Sequence, residues 1–206
     1  MSNQPLPQSL QETAAFFDPE NLARLALKYE GEVALLVIDV QKQFCDPADR
    51  EKRGNAETVE ISERIQSLVP EFRKAGIPVY AIFYSPTGRK KRFRKIDFYK
   101  FKPDAGDTVV GKYADSAFEG SNIADLLHGD NKKLLLACGF NLNACVKSTV
   151  KDARAAGFEV CLLRDLAGND CLNRDYADSH LRDMQKAGTV IASSQAVLKQ
   201  LRAPSL

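Results

Sequence analysis

The sequence predicts an α/β domain of three layers, α/β/α, in which a doubly wound and mainly parallel sheet of six strands lies between two layers of helices. Short apolar runs alternate along the chain with segments of helical period, and parallel strands require a crossover helix between them. Four of these runs are almost unbroken, as expected of strands that are covered on both faces. With 206 residues, of which 44% are hydrophobic, the chain can bury one sizeable core.

Each element is predicted from its local pattern. The strands are expected at about residues 33–39, 78–84, 108–111, 133–138, 159–163 and 188–192. The helices between them are expected near residues 57–75, 120–128, 143–156 and 173–187, and Gly76 and Gly157 end two of them with left-handed caps. Asp18 and Pro19 announce a further helix, so residues 1–30 are predicted to be an N-terminal helical extension of a domain spanning residues 31–206.

Composition excludes several classes of protein. No run approaches the roughly 18 apolar residues of a membrane helix, and the first 30 residues carry acids instead of an apolar signal segment. We therefore expect a cytoplasmic protein. The five cysteines form no CxxC pair, so they are expected to remain thiols, with Cys138 and Cys161 in the core and Cys45 and Cys171 in loops.

The positive charge is concentrated in one basic segment, residues 89–102. This segment has eight basic residues and one acidic residue, although the whole chain carries only +2. It can be a solvated loop or subunit contact, or it can recruit an anionic substrate or acidic partner. Nucleic acid is the least favoured partner, although Phe93, Phe98, Tyr99 and Phe101 interleave with the bases.

Three polar residues follow predicted strands at the edge of the sheet where α/β proteins bind ligands: Asp39, Lys112 and Cys145. A helix N-terminus and a nearby lysine both favour a thiolate at Cys145. A carboxylate such as Asp39 could take the thiol proton and return it to a leaving amine. Each residue alone also has a packing or surface interpretation, but together they form a complete nucleophile system.

Three segments carry a family resemblance: D-x-Q-x-x-F at 39–44, G-K-Y-x-x-S-A-F at 111–118 and G-x-x-x-x-x-C-V at 139–146. In order and placement they resemble the signature segments of the isochorismatase-like cysteine hydrolases, and the similarity extends over about residues 32–200.

The resemblance implies the strand order 3-2-1-4-5-6, a triad of Asp39, Lys112 and Cys145, and a thioester intermediate. It further implies an oxyanion hole formed by the backbone N–H groups of Asn141 and Cys145, with a cis Phe140–Asn141 bond. Similar enzymes commonly form dimers or tetramers, so a homo-oligomer is expected. We also expect substrate contacts from four residues, Gln41, Phe44, Tyr84 and Phe140.

Related nicotinamidases bind a metal through histidines after the second strand, but here that region contains none. The only histidines, His128 and His180, lie in predicted helices, so no metal and no cofactor is predicted. The retained cysteine favours hydrolysis of an amide, ureido or carbamoyl C–N bond in a small molecule. The alternatives are vinyl-ether hydrolysis that uses Asp39 alone, and a non-catalytic binding protein that uses the basic segment.

Overall fold

The computed structural model describes residues 16–85, 96–172 and 177–202. The described chain contains six strands: β1 (Val33–Ile38), β2 (Val79–Tyr84), β3 (Thr108–Lys112), β4 (Leu134–Phe140), β5 (Glu159–Gly168) and β6 (Val190–Ala192). They form one sheet in the order β3-β2-β1-β4-β5-β6, and all neighbouring strands are parallel. The predicted fold class and strand order are confirmed.

Seven α-helices accompany these strands within the described residues: α1 (Pro19–Lys28), α2 (Lys42–Cys45), α3 (Ala56–Lys74), α4 (Ile123–Gly129), α5 (Lys147–Ala155), α6 (Ala177–Lys186) and α7 (Ser194–Leu201). A π-helical turn, Leu142–Val146, leads from β4 into α5. Across the described ranges, no helix has the length and apolar character needed to cross a membrane.

The core consists of two apolar layers on opposite faces of the sheet. Because side chains alternate along a strand, Leu35 and Val37 of β1 face one layer, whereas Leu36 and Ile38 face the other. The first layer packs under α1, α3 and α7, and the second packs under α4, α5 and α6. This arrangement leaves the carboxyl ends of the strands as the edge at which polar residues gather.

The first described helix is integrated into the core. Asp18 caps α1 by accepting a hydrogen bond from the Asn21 N–H at 3.0 Å, as the sequence predicts. Leu22 and Leu25 are buried in the same apolar layer as α3. The helix therefore contributes to the domain and does not stand apart from it; residues 1–15 of the predicted extension lie outside the described residues.

The carboxyl-terminal half differs from prediction in two respects. Strand β5 continues to Gly168, five residues past its predicted end, so Asp165 lies inside the strand. Helix α7 was not predicted. The Asp165 carboxylate accepts hydrogen bonds from the Ser194 N–H at 2.7 Å and the Ser194 hydroxyl at 2.6 Å, which fixes the start of α7 against the sheet.

Candidate active site

The three predicted catalytic residues lie at the carboxyl edge of the sheet. Asp39 directly follows β1, Lys112 ends β3, and Cys145 lies in the π-helical turn after β4. Asp39 has a left-handed backbone with φ of 52°, and its N–H donates to the Ile82 carbonyl at 2.9 Å. A non-glycine residue held in this region is typical of functional sites, where the surrounding structure enforces it.

Lys112 and Asp39 form a buried ion pair. The Lys112 ammonium lies 2.8 Å from Oδ2 of Asp39, and both side chains are wholly buried. The same ammonium donates to the carbonyl oxygens of Ala114 and Asp115, each at 3.0 Å, and lies 5.1 Å from the centre of the Tyr84 ring. Three oxygen acceptors and one aromatic face therefore compensate for the removal of this charge from water.

The Cys145 thiol lies at the entrance to this buried pair. The residue is 6% exposed, and its thiol points toward Oδ1 of Asp115 at 3.9 Å. Burial raises the pKa of Cys145 to about 12; the Asp39 carboxylate acts in the same direction and Lys112 opposes it. The Cys145 side chain is therefore a neutral thiol at neutral pH, and the expected stabilisation of a thiolate by Lys112 is outweighed by burial and by Asp39.

The two charged partners also respond to burial. Burial raises the pKa of Asp39, and the Lys112 charge opposes this effect. For Lys112 the effect of burial is to lower the pKa, but the Asp39 charge and the Cys145 thiol reverse it, so that the net pKa is raised. The lysine therefore stays charged at neutral pH, while Asp39 is held closer to protonation than an ordinary aspartate.

The loop after β4 needs glycine at its first bend. Gly139 has φ of +116°, and a Cβ atom there would lie 2.0 Å from the Ile38 carbonyl oxygen of the adjacent strand. The next bond, between Phe140 and Asn141, is cis, as the sequence comparison implies. The close approach of β4 to β1 therefore places the backbone of Asn141 at the same edge of the sheet as Asp39.

A polar clamp formed by Arg53, Asn169 and Asp170 holds this loop in place. The Asn141 amide donates to Oδ2 of Asp170 at 3.2 Å, and the Asp170 N–H donates to Oδ1 of Asn141 at 2.7 Å. Arg53 forms an ion pair with Asp170, and Oδ1 of Asn169 accepts from the Asn143 N–H at 2.9 Å. Both faces of the loop are therefore tied to the end of β5.

This clamp was not predicted from the sequence. Asn169 and Asp170 directly follow β5, so the same rule that selects Asp39 would have selected them. The signal was lost because β5 was predicted to end at residue 163, several residues too early. Arg53 had no comparable signal, since it lies in an irregular segment between α2 and α3.

The four predicted substrate contacts have different surroundings. The Gln41 side chain donates to the Tyr84 carbonyl at 3.1 Å and accepts from the Tyr84 N–H at 2.7 Å, and both residues border a cavity of about 160 Å³. Phe44 is buried between Tyr84 and the Arg53 guanidinium, which lies 4.7 Å from its ring centre. Phe140 is wholly buried and packs in the first apolar layer, and its predicted contact with substrate stays a prediction.

The aromatic residues of the basic segment are packed inward where the structure describes them; residues 89–95, including Phe93, lie outside the described residues. Phe98 makes edge contacts with Phe83 and Phe101, and Phe101 is only 2% exposed. The Tyr99 N–H donates to the Val40 carbonyl at 2.9 Å. These rings therefore secure the segment beside Asp39 and are not arranged as a base-stacking surface.

The remaining cysteines and histidines are not members of the predicted triad. Cys138 and Cys161 are wholly buried in the core, as predicted, and Cys171 is exposed. Cys45 was predicted to lie in a loop, but it ends α2 and is buried. The His128 ring stacks on Phe158 at 4.7 Å, and Nε2 of His180 lies 3.2 Å from the Lys147 ammonium. Among the described residues, no three His, Cys, Asp or Glu side chains are grouped to hold a metal ion.

The family described as Isochorismatase domain matches residues 33–196, most of the chain. The chain belongs to the isochorismatase family of hydrolases. The secreted isochorismatase effector Isc1 of Verticillium dahliae is 25% identical to this hydrolase over 142 residues, which cover 66% of the chain and 72% of the effector.

An amidohydrolase is also among the relatives of this isochorismatase-family hydrolase. Maleamate amidohydrolase of Pseudomonas putida is 27% identical over 100 residues, which cover 48% of this chain and 46% of that protein. The crystal structure of an isochorismatase-like hydrolase from Alkaliphilus metalliredigens matches with a TM-score of 0.72 at 19% identity, covering 84% of this chain and 98% of that one. The structural likeness establishes the shared fold.

Proposed function

We propose that this hydrolase cleaves a C–N bond of an amide, ureido or carbamoyl group in a small molecule, with Cys145 as the nucleophile. The observation that carries the proposal is the position of the Cys145 thiol beside a buried ion pair of Asp39 and Lys112. A cysteine hydrolase needs a thiol nucleophile, a carboxylate that can take the thiol proton and a cation that holds the carboxylate in place.

In the first half-reaction, the Sγ atom of Cys145 bonds to the substrate carbonyl carbon while Asp39 takes the thiol proton. The carbonyl π electrons move to its oxygen, which becomes an oxyanion. When this intermediate collapses, the C–N bond breaks and Asp39 returns the proton to the leaving nitrogen. The products are an amine, or ammonia, and a thioester on Cys145.

Hydrolysis of the thioester regenerates the enzyme. Water adds to the thioester carbon and gives one proton to Asp39; the S–C bond then breaks, and Cys145 takes that proton as the acid product leaves. The raised pKa of Asp39 suits this alternation, because a carboxylate close to protonation can accept and return a proton. Lys112 stays charged throughout and keeps the carboxylate in position.

The oxyanion is assigned to the backbone N–H groups of Asn141 and Cys145. The polar clamp supports this assignment, since it holds Asn141 on one side of the loop and Asn143 on the other. Preorganised donors of this kind typically accelerate acyl transfer by about 10²–10³ each. The likeness to maleamate amidohydrolase supports the choice of an amide over a vinyl ether.

The test is a screen for ammonia or amine release from amides, ureides and N-carbamoyl amino acids. With an active substrate, Cys145→Ala and Cys145→Ser should lose turnover by about 10³-fold or more. The matched control is Cys171→Ala, which removes an exposed thiol outside the triad. In a rapid quench, mass spectrometry should find the acyl group on Cys145.

Turnover that survives in Cys145→Ala but fails in Asp39→Asn would overturn the thiol mechanism. It would instead identify a cysteine-independent hydrolase in which Asp39 is the acid, as in the vinyl-ether alternative. Inactivity of the wild-type protein toward the whole panel would also count against the proposal.

A further inference from the structure

A second carboxylate, that of Asp115, faces the nucleophile from the entrance of the site. Its Oδ1 lies 3.9 Å from Sγ of Cys145, and the residue is exposed, in contrast to the wholly buried Asp39. The proposed mechanism uses one carboxylate and leaves this second one without a role. Asp115 is therefore an exposed charged group next to the thiol.

Hydrogen bonds fix the backbone on both sides of Asp115. The Lys112 ammonium binds the backbone carbonyls of Ala114 and Asp115 at 3.0 Å each. Two residues later, the Ala117 N–H donates to the buried Thr149 hydroxyl at 3.0 Å, which ties the segment to α5, the helix that follows the nucleophile. Asp115 is thus fixed from both sides relative to Cys145.

Among the residues that the structure describes, the charges around the thiol do not cancel. Asp39 and Lys112 form an ion pair, whereas none of the cations in residues 16–85, 96–172 and 177–202 pairs with the Asp115 carboxylate. Within these ranges, a negative charge therefore remains beside Cys145. A fixed carboxylate at a partly desolvated entrance attracts cations and N–H donors and repels anions.

We propose that Asp115 is a specificity-determining residue that selects substrates with N–H donors or a positive charge next to the scissile carbonyl. A ureido nitrogen or an α-ammonium group fits this description, whereas a carboxylate in that place is disfavoured. The inference rests on the proposed role of Cys145. When such a donor binds, it replaces the thiol as the partner of Asp115 and leaves the S–H free to face Asp39.

The test uses three methanethiosulfonate reagents of different charge: cationic trimethylammonioethyl, anionic sulfonatoethyl and the smaller, neutral methyl reagent. Each transfers its thioalkyl group to a thiolate, forming a disulfide and releasing methanesulfinate, so no turnover is needed. In a Cys171→Ser background, mass spectrometry follows modification of Cys145. The rate for each reagent is divided by its rate with a small free thiol.

The cation-to-anion rate ratio should fall about tenfold or more in Asp115→Asn, and Asp115→Lys should invert the preference. The matched control, Glu119→Gln, removes an exposed charge from the same segment and should change the ratio by less than about twofold. With an amide substrate in hand, Asp115→Asn should shift relative kcat/KM toward anionic amides to a similar extent.

An unchanged ratio in Asp115→Asn and Asp115→Lys would overturn the inference while leaving the thiol mechanism intact. The inference would also be overturned if these variants lost as much reactivity toward the neutral reagent as toward the cationic one. Asp115 would then be acting as a proton acceptor or as a structural support. Failure of the wild-type Cys145 to react with any of the three would overturn both proposals.

Discussion

The ammonium of Lys112 lies 2.8 Å from Oδ2 of Asp39, and neither side chain is exposed to solvent. Such a pair adds little to stability, because desolvation offsets much of the attraction between the charges. Oδ1 of Asp39 is also buried and has no hydrogen bond to the residues that the structure describes. A buried acceptor of this kind beside the proposed nucleophile is better explained by proton transfer than by folding.

Removal of the lysine charge should destabilise the protein strongly. Lys112→Met leaves the Asp39 carboxylate buried without its cation, so the free energy of unfolding should fall by about 3–5 kcal/mol at neutral pH. Denaturant unfolding measures this loss. The double variant Lys112→Met with Asp39→Leu should recover much of it, because no unpaired charge remains in the interior.

The surface pair of Lys133 and Glu32 provides the control for this experiment. Lys133 is about half exposed, so Lys133→Met should change the free energy of unfolding by less than about 1 kcal/mol. Equal losses from the two lysine variants would contradict the buried pair as described, and so would a double variant no more stable than Lys112→Met.

Asp39→Asn should make the Cys145 thiol more acidic and at the same time lower turnover. The Asp39 charge raises the pKa of Cys145 and Lys112 lowers it, so removal of the carboxylate should lower that pKa from about 12. At about pH 9 the wild-type thiol should be ionised in roughly one molecule per thousand, and the variant in a far larger fraction. Turnover of an amide should nevertheless fall by about 10²–10⁴, because the leaving nitrogen loses its proton donor.

Thiolate absorbance, measured as the difference from a matched Cys145→Ala protein, reports the ionised fraction at each pH. Asp97→Asn, which removes a carboxylate from an exposed ion pair with Lys42, serves as the control and should leave the thiol titration unchanged. A thiol that is no more acidic in Asp39→Asn would contradict the assigned electrostatics.

Much of the fold follows from local sequence patterns. Short apolar runs locate all six strands, and four of the runs are near-continuous, since parallel strands covered on both faces need apolar side chains on both sides. The end of β5 was misplaced because Arg164 and Asp165 interrupt the apolar run. The structure accommodates both inside the strand: Arg164 donates to the Ala167 carbonyl at 2.9 Å, and Asp165 binds the start of α7, which is distant in sequence.

The site was predicted in part for a similar reason. Asp39, Lys112 and Cys145 each follow a strand, a relationship that is visible in one dimension. The clamp on Asn141 and the approach of Asp115 to the thiol depend on segments that meet only in the folded chain. The direction of the pKa shift of Cys145 could not be predicted from residue types alone. Burial raises this pKa and opposes the helix and lysine effects that favour ionisation.

Gly139→Ala should damage both stability and the site. The new methyl group would lie 2.0 Å from the Ile38 carbonyl oxygen, in a backbone conformation that alanine disfavours. The two central strands must separate, so we expect a loss of about 2–4 kcal/mol in the free energy of unfolding. Thermal or denaturant unfolding provides the measurement.

Gly129→Ala is the matched control, since Gly129 ends α4 and an added Cβ there meets no atom within 4 Å. That change should be neutral or should stabilise the protein by up to about 1 kcal/mol. If both alanine variants were equally stable, the close contact between β1 and β4 at Gly139 would be wrong.

Loss of Asp170 should lower kcat with little effect on KM. Asp170→Ala removes the partner of both Asn141 and Arg53, so the loop that is proposed to hold the oxyanion is no longer fixed. Because the loop acts on the developing oxyanion and not on the bound substrate, kcat should fall by about 10–100-fold while KM changes by less than about threefold. Steady-state kinetics on a substrate from the screen measures both constants.

Asp170→Asn should recover part of the lost kcat, because an amide oxygen at the same position can still accept a hydrogen bond from the Asn141 amide. The control is Asp130→Asn, which perturbs the contact between Asp130 and the Tyr80 hydroxyl outside the triad and its clamp; it should leave both kinetic constants unchanged. A rise in KM without a fall in kcat in Asp170→Ala would assign the clamp to substrate binding. Equal kinetic losses in Asp130→Asn would mean that the effect of Asp170→Ala comes from general destabilisation. Only a loss of kcat that is selective for Asp170→Ala supports an oxyanion site at Asn141.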